Sequence, residues 1–275
     1  MKILNGSELA GFIKERQAHE VRGLRQAHHV LPKLGIVVTV EHPAIEVYMR
    51  MKTRYGSDIL IDVDIHRVKQ ADALQTIQRL NQDDSVHGII VQLPLDDPSQ
   101  TEEIVNAVAA HKDVDGLGKD AGYDPATALS ILWLLAAYNV DLRGKKVVLV
   151  GRGKLVGAPL EKLLLTSGVD VEVADRKTTD LKALCLSADV LITATGQAGL
   201  VTTDMIKQGA VVVDAGVAGE QGKTVGDLAE DVYTRDDLTI TPTKGGVGPL
   251  TICALFDNVI RAARATANQA AKTNA

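Results

Sequence analysis

The stretch VVLVGRGKLVG at residues 147–157 decides the fold. Its first four residues, Val147, Val148, Leu149 and Val150, read as a strand buried on both faces. The strand stops at Gly151, and Gly153 and Gly157 follow in G-x-G-x-x-x-G spacing. Glycines so placed allow a tight turn, let backbone N–H groups approach a pyrophosphate, and let the next helix pack closely. That helix is expected to begin near Leu155 and to cover residues 159–167, turning the positive end of its dipole toward the anion. A glycine turn alone is equally the mark of a plain strand-to-helix connection, so its surroundings must decide.

The next strand-like run, 171–175, ends in Asp175, near the distance at which an acidic residue meets the adenosine ribose. Further runs follow at 190–195, 210–214 and 238–241. Two of them end in glycine loops, Ala194-Thr195-Gly196 and Asp214-Ala215-Gly216. Strand ends of an open parallel sheet converge on the ligand crevice, so Thr195, Gly196 and Gly216 join Gly151, Gly153 and Gly157 as expected dinucleotide contacts. Asp175 favours a free ribose 2′-OH, whereas Arg152, Arg176 and Lys177 favour a 2′-phosphate. Three cations against one carboxylate lean toward NADP, with NAD as the other candidate.

Upstream, strand-like and helix-like runs also alternate. An opening helix capped by Ser7 precedes a strand at 34–40 and a helix through 48–55. A strand at 59–65, a helix over 71–81 and a strand at 88–95 follow, a βαβ rhythm. The last helix is expected from Thr251 to about Ala267, and the tail 268–275 is expected to fray. Gly, Lys, Asp and Pro accumulate at 116–124, the most plausible lobe boundary.

Composition narrows the function classes. With 275 residues, 45% hydrophobic and 24% charged, the chain can fill two modest cores and is too apolar for disorder. A formal net charge of -5 offers no basic excess for a nucleic-acid partner. No run reaches membrane-spanning length, and no signal peptide is visible, so a cytoplasmic oxidoreductase is expected. The two cysteines, Cys185 and Cys253, match no metal spacing and read as buried reduced thiols, and the seven histidines form no helix pair that would hold a metal.

The first half carries three polar groups of interest. Tyr48 and Lys52 share a helix face at i, i+4, and a lysine against apolar walls can have a lowered pKa and move protons. Read without context, the same pair is a surface helix with a snorkelling lysine. Val91-Gln92-Leu93-Pro94 puts an amide at the end of an apolar strand, and 112–116 (KDVDG) supplies two carboxylates in a turn. Each taken singly is turn chemistry; together they suggest a pocket.

These motifs carry a resemblance over nearly the full length. YMRMK at 48–52, GIIVQLPL at 88–95, KDVDG at 112–116, GRGKLVGAP at 151–159 and TPTKGGVGPLT at 241–251 stand in matching order and spacing. The chain thus resembles the bifunctional methylenetetrahydrofolate dehydrogenase/methenyltetrahydrofolate cyclohydrolases. The resemblance implies an α/β protein of two lobes. One is a folate-binding catalytic domain of residues 1–118 plus 252–275, with the C-terminal helix packing back on it. The other is a Rossmann-type NAD(P)-binding domain of 119–251. It implies that Tyr48 stacks on the folate ring system, Lys52 is the central catalytic group, Gln92 tunes it, and Asp115 binds the pterin. Leu93, Pro94, Gly248, Pro249 and Leu250 would line the substrate pocket. It also implies a tetrahydrofolate substrate, NADP, a homodimer formed through the Rossmann lobes, and a place in one-carbon supply to purine biosynthesis.

The chain departs from the family pattern in places. Ile45 or Glu46 stands where a serine precedes the tyrosine, and Arg54 replaces the second lysine of K-x-K. A short loop running to Pro125-Ala126-Thr127-Ala128 replaces a P-C-T-P segment. Gly153 replaces a serine, Asp175-Arg176 a His-Ser pair, and Pro242-Thr243-Lys244 a P-V-P. These changes bear on substrate fit and cofactor preference, whereas Lys52, Gln92 and Asp115 are intact. The competing readings are a single-activity enzyme on the same fold, a shikimate-dehydrogenase-like enzyme, and a non-catalytic dinucleotide sensor.

Overall fold

The computed structural model describes residues 1–220 and 223–273. In chain order the elements are β1 (Lys2–Ile3), α1 (Gly6–Ala27), β2 (Lys33–Val38), α2 (Pro43–Asp58), β3 (Asp62–Arg67), α3 (Ala73–Gln82), β4 (Gly88–Gln92) and α4 (Thr101–Asn106). Then come α5 (Ala126–Ala137), β5 (Val147–Val150), α6 (Gly157–Thr166), β6 (Val171–Ala174), α7 (Leu181–Ser187), β7 (Val190–Thr193) and β8 (Val211–Asp214). The chain closes with β9 (Ala218–Glu220), β10 (Lys223–Val225), β11 (Thr239–Ile240) and α8 (Val247–Thr273). The whole is α/β, and it divides into two units: Met1–Ala10 with Thr127–Thr251, and Gly11–Ala126 with Ile252–Ala275.

The first of these units is a parallel six-stranded sheet in the order β1-β11-β8-β7-β5-β6. Its inner strands β5 and β7 are buried at every position, which is why both read as unbroken apolar runs. From β5 the chain goes to β6 on one side and then returns to β7 on the other. The strand order therefore reverses at β5, the switch point at which open α/β sheets take their ligands. The antiparallel hairpin β9–β10 stands apart from this sheet.

The second unit holds a parallel sheet in the order β3-β2-β4. Central β2 is buried from Leu34 onward, whereas edge strand β3 alternates and leaves its outward residues wet. Val37, Ile77, Leu80, Ile89, Val91 and Ile104 form a core between this sheet and α3 and α4. The part of α8 that belongs to this unit packs its Val259 beside Gly88 and its Phe256 beside Gly56. The C-terminal helix thus lies on the first lobe, as the sequence implied.

Several boundaries differ from the sequence expectations. Asn5, not Ser7, caps α1, its Oδ1 accepting the Glu8 N–H at 3.1 Å. Helix α2 starts at Pro43 because the His42 ring accepts the Ala44 N–H, and it runs on to Asp58. The run 59–65 is accordingly not one strand. Ile59 ends α2, Leu60 takes a left-handed φ of 63°, and pairing begins only at Asp62. Helix α6 starts at Gly157 rather than near Leu155, and α8 starts at Val247 rather than Thr251. Pro249 sits in the first turn of α8, where its missing N–H costs nothing. Residues 1–10 belong with the six-stranded sheet, since β1 is too short to show a pattern yet pairs with β11. The last helix runs on to Thr273 instead of fraying after Ala267, and 274–275 lie outside the described residues. Both cysteines are buried and outside any disulfide, and burial pushes the Cys185 thiol up to about 11.

Candidate active site

Gln92 closes β4, and its amide is held in one orientation: Nε2 donates to its neighbour's carbonyl, Leu93 O, at 2.8 Å. Oε1 is thereby left facing α2, where it accepts from Lys52 Nζ at 2.8 Å. The lysine stem is part-buried, and burial lowers the Lys52 pKa while the Asp115 charge opposes that fall. Burial likewise raises the Asp115 carboxyl, with Lys52 pulling it down and Asp113 pushing it further up. Both members of the pair are thus displaced toward their neutral forms. One turn before Lys52, Tyr48 is 45% exposed, so its ring face is available to a flat partner.

The two carboxylates of the 112–116 turn have different jobs. Asp113 is buried and accepts the backbone N–H groups of Gly116 at 3.1 Å and Gly118 at 2.7 Å, so it builds the turn. Lys112 is also structural, donating to the carbonyls of Leu80 and Asp83. Of the two, Asp115 is the one whose charge acts on Lys52. Sequence reading missed the residue that seats this turn. Asn258, fully buried on α8, donates to Val114 O at 2.9 Å and Asp124 O at 3.0 Å. The one signal for it was a lone amide on the apolar face of the last helix.

The departure upstream of Tyr48 has a structural reading. Ile45 is core, and Glu46 pairs with Arg67 at 2.9 Å, so neither offers a hydroxyl beside Tyr48. Leu93 is partly buried against the β4 core, and its bond to Pro94 is cis.

In the other unit the glycine turn lies at the switch point. Gly151 has φ +104°, its N–H donates to Ala174 O, and a Cβ there would meet Ala194 O at 2.6 Å. A Cβ on Gly157 would stand 2.0 Å from Gly151 O, so the first turn of α6 closes directly on the loop. Gly153, by contrast, has nothing within 4 Å of a built Cβ. No protein neighbour requires glycine there, which fits a loop left open for an anion to approach its backbone.

The cation tally around the expected phosphate changes. Arg152 is held by Glu161 of α6 through Nε at 2.6 Å and Nη2 at 3.1 Å. Asp175 closes its own turn by accepting the Lys177 N–H at 2.8 Å. Arg176 and Lys177 remain exposed. Gly196 has φ +68°, and the Thr195 N–H donates to Asp227, a buried residue that sequence reading also missed. Gly248 is exposed at the start of α8, Pro249 is half-buried and Leu250 is core. Among the described residues no His, Cys, Asp and Glu cluster could hold a metal ion, and no helix is long and apolar enough to cross a membrane.

Two family models match this chain. The catalytic domain of tetrahydrofolate dehydrogenase/cyclohydrolase covers residues 4–115, and the NAD(P)-binding domain of the same enzymes covers 125–267. The bifunctional protein FolD of Moorella thermoacetica is 39% identical over 278 residues, spanning 96% of this chain and 99% of the relative. The solved FolD methylenetetrahydrofolate dehydrogenase/cyclohydrolase of Campylobacter jejuni is 35% identical, with a TM-score of 0.91 over 96% of this chain and 99% of the other. The Trypanosoma brucei methylenetetrahydrofolate dehydrogenase-cyclohydrolase, solved with NADP and an inhibitor, is 28% identical with a TM-score of 0.89 over 96% and 97%.

Proposed function

Because the chain belongs to the tetrahydrofolate dehydrogenase/cyclohydrolase family, we propose that it oxidises 5,10-methylenetetrahydrofolate with NADP and hydrolyses the resulting 5,10-methenyl compound to 10-formyltetrahydrofolate. The observation that carries this reading is the Lys52–Gln92 hydrogen bond beside Asp115. A lysine whose burial disfavours the ammonium form is a readier proton acceptor toward water, and a cationic substrate nearby would favour the neutral amine further. Gln92 fixes the position of that amine without competing for its lone pair, because its Oε1 only accepts.

Asp115 is assigned to the pterin. A carboxyl with a raised pKa can share a proton with a ring nitrogen or amide instead of carrying a full buried charge. Tyr48 is assigned to stacking on the folate rings, supported by its exposure. Leu93, Pro94, Gly248, Pro249 and Leu250 are assigned to the substrate walls on the strength of the family resemblance. Gly11–Ala126 with Ile252–Ala275 carries the folate-binding chemistry in this reading, and the six-stranded unit carries the dinucleotide.

Bound there, NADP supplies the hydride acceptor. Gly151 shapes the tight turn, Gly153 leaves the loop backbone open to its pyrophosphate, Gly157 brings the first turn of α6 onto that loop, and Thr195, Gly196 and Gly216 line the loops beyond. Arg176 and Lys177 are assigned to the 2′-phosphate, since Arg152 is already held by Glu161. Asp175, its carboxylate engaged in its own turn, is less able to select for a free 2′-OH. A cytoplasmic homodimer joined through the Rossmann-type units, serving purine synthesis, completes the reading and rests on the resemblance alone.

The test is to supply 5,10-methylenetetrahydrofolate with NADP or NAD and follow reduced nicotinamide and the methenyl compound together. Reduced cofactor without methenyl build-up is expected, faster with NADP. Accumulating methenyl would reduce the enzyme to a dehydrogenase, and no reduced cofactor would sink the dehydrogenase reading.

A further inference from the structure

Beyond β7 and β8, two aspartates and two glycines interlock three separate loops. Asp214, at the end of β8, accepts on Oδ1 from Thr193 Oγ1 at 3.0 Å and from the N–H groups of Gly216 at 2.9 Å and Asp227 at 3.1 Å. Its Oδ2 accepts the Leu228 N–H at 3.2 Å. Asp227, fully buried after the β9–β10 hairpin, accepts the N–H of Thr195 on Oδ2 at 2.6 Å and of Gln197 on Oδ1 at 2.9 Å. The packing is reciprocal. A Cβ on Gly216 would lie 2.1 Å from the Asp227 carboxylate, and one on Gly226 would lie 2.0 Å from Asp214 Oδ2.

The shape of the 195–197 turn is therefore imposed by a carboxylate thirty-odd residues later in the chain, with one backbone donor on each oxygen. The location of that turn matters. With its pyrophosphate at Gly151–Gly157 and its adenosine ribose on the β6 side, a dinucleotide must run its other half across the ends of β7 and β8.

We propose that Asp227 is a positioning residue for the cofactor. It holds the 195–197 turn, and through Gly216 the loop after β8, in the form that receives the nicotinamide half. This rests on the cofactor reading above. Asp214 is the complementary brace, holding Asp227's own segment by the N–H groups of Asp227 and Leu228.

Asp227→Asn is the probe, because it keeps the shape but turns an NH2 group toward one of two backbone N–H groups that both need an acceptor. The expected result is a rise of roughly tenfold or more in the KM for NADP. Hydrolysis of 5,10-methenyltetrahydrofolate consumes no NADP, and it should stay within about twofold of the parent. Gly226→Ala presses on Asp214, which holds the Asp227 segment, and should give the same selective defect. An unchanged KM for NADP in both variants, or a parallel loss of both activities, overturns the proposal. Direct titration of the unaltered protein separates the two levels: failure to bind either NADP or NAD would take down the cofactor reading itself.

Discussion

Replacing Asn258 with leucine probes how a residue on the last helix governs a carboxylate in the first lobe. The amide of Asn258 satisfies two carbonyls, Val114 O at 2.9 Å in a fully buried setting and Asp124 O at 3.0 Å in a part-buried one. Leucine has the same branched shape and number of side-chain heavy atoms, so no cavity forms, but one partner of each bond remains behind. Stranding the buried carbonyl costs about 1–3 kcal/mol, and the part-buried one, which water can reach, about 0.5–1.5 kcal/mol. The weak 3.3 Å contact from Arg261 to Asn258 Oδ1 adds little. The sum, about 1.5–4.5 kcal/mol, should appear as local opening of the 112–124 segment. Hydrogen exchange followed by mass spectrometry reads it directly. Amides of peptides from this segment, including the Gly116 and Gly118 N–H groups held by Asp113, should exchange roughly 10- to 1,600-fold faster. Peptides of the six-stranded sheet should not change. The KM for the folate should rise with it, as Asp115 loses its fixed place. Exchange within twofold of the parent across 112–124 would refute the reasoning.

Other perturbations separate the two halves of the site. Lys52→Met should abolish methenyl hydrolysis while leaving NADP titration unchanged; retained hydrolysis would remove Lys52 from the chemistry. Asp115→Asn takes away the charge that raises the Lys52 pKa, so the alkaline-rising limb of the pH–rate profile should move to lower pH, as well as the folate KM increasing. A limb displaced to higher pH would contradict that sign. Gly153→Ala meets no atom within 4 Å and should keep thermal stability within about 0.5 kcal/mol while weakening NADP. Gly157→Ala, 2.0 Å from Gly151 O, should destabilise the six-stranded unit outright, so equal stability of the two variants would count against the turn geometry. Arg176→Gln with Lys177→Gln should raise the KM for NADP about tenfold and leave that for NAD nearly unchanged. Equal effects on both cofactors would move the 2′-phosphate contact elsewhere.

Sequence alone determined the elements whose pattern is local. The apolar runs of β5, β7 and β2 and the glycine turn at 151–157 declare themselves, because a buried parallel strand needs continuous apolar residues and a tight turn needs glycine. Tyr48 and Lys52 could be placed on one helix face from spacing, and the order of five motifs carried the family. Sequence could not place β1, since two residues show no period, nor the start of α2, which His42 sets through one ring nitrogen. It could not divide the work between Asp113 and Asp115, because both are carboxylates in one turn. Only tertiary structure shows that one binds backbone while the charge of the other acts on Lys52. It did not reveal that Arg152 is already paired, nor that Asn258 and Asp227 brace loops far from them in the chain. Those roles depend on long-range hydrogen bonds to backbone groups, which carry no side-chain identity for a pattern to record, so tertiary structure alone decided them.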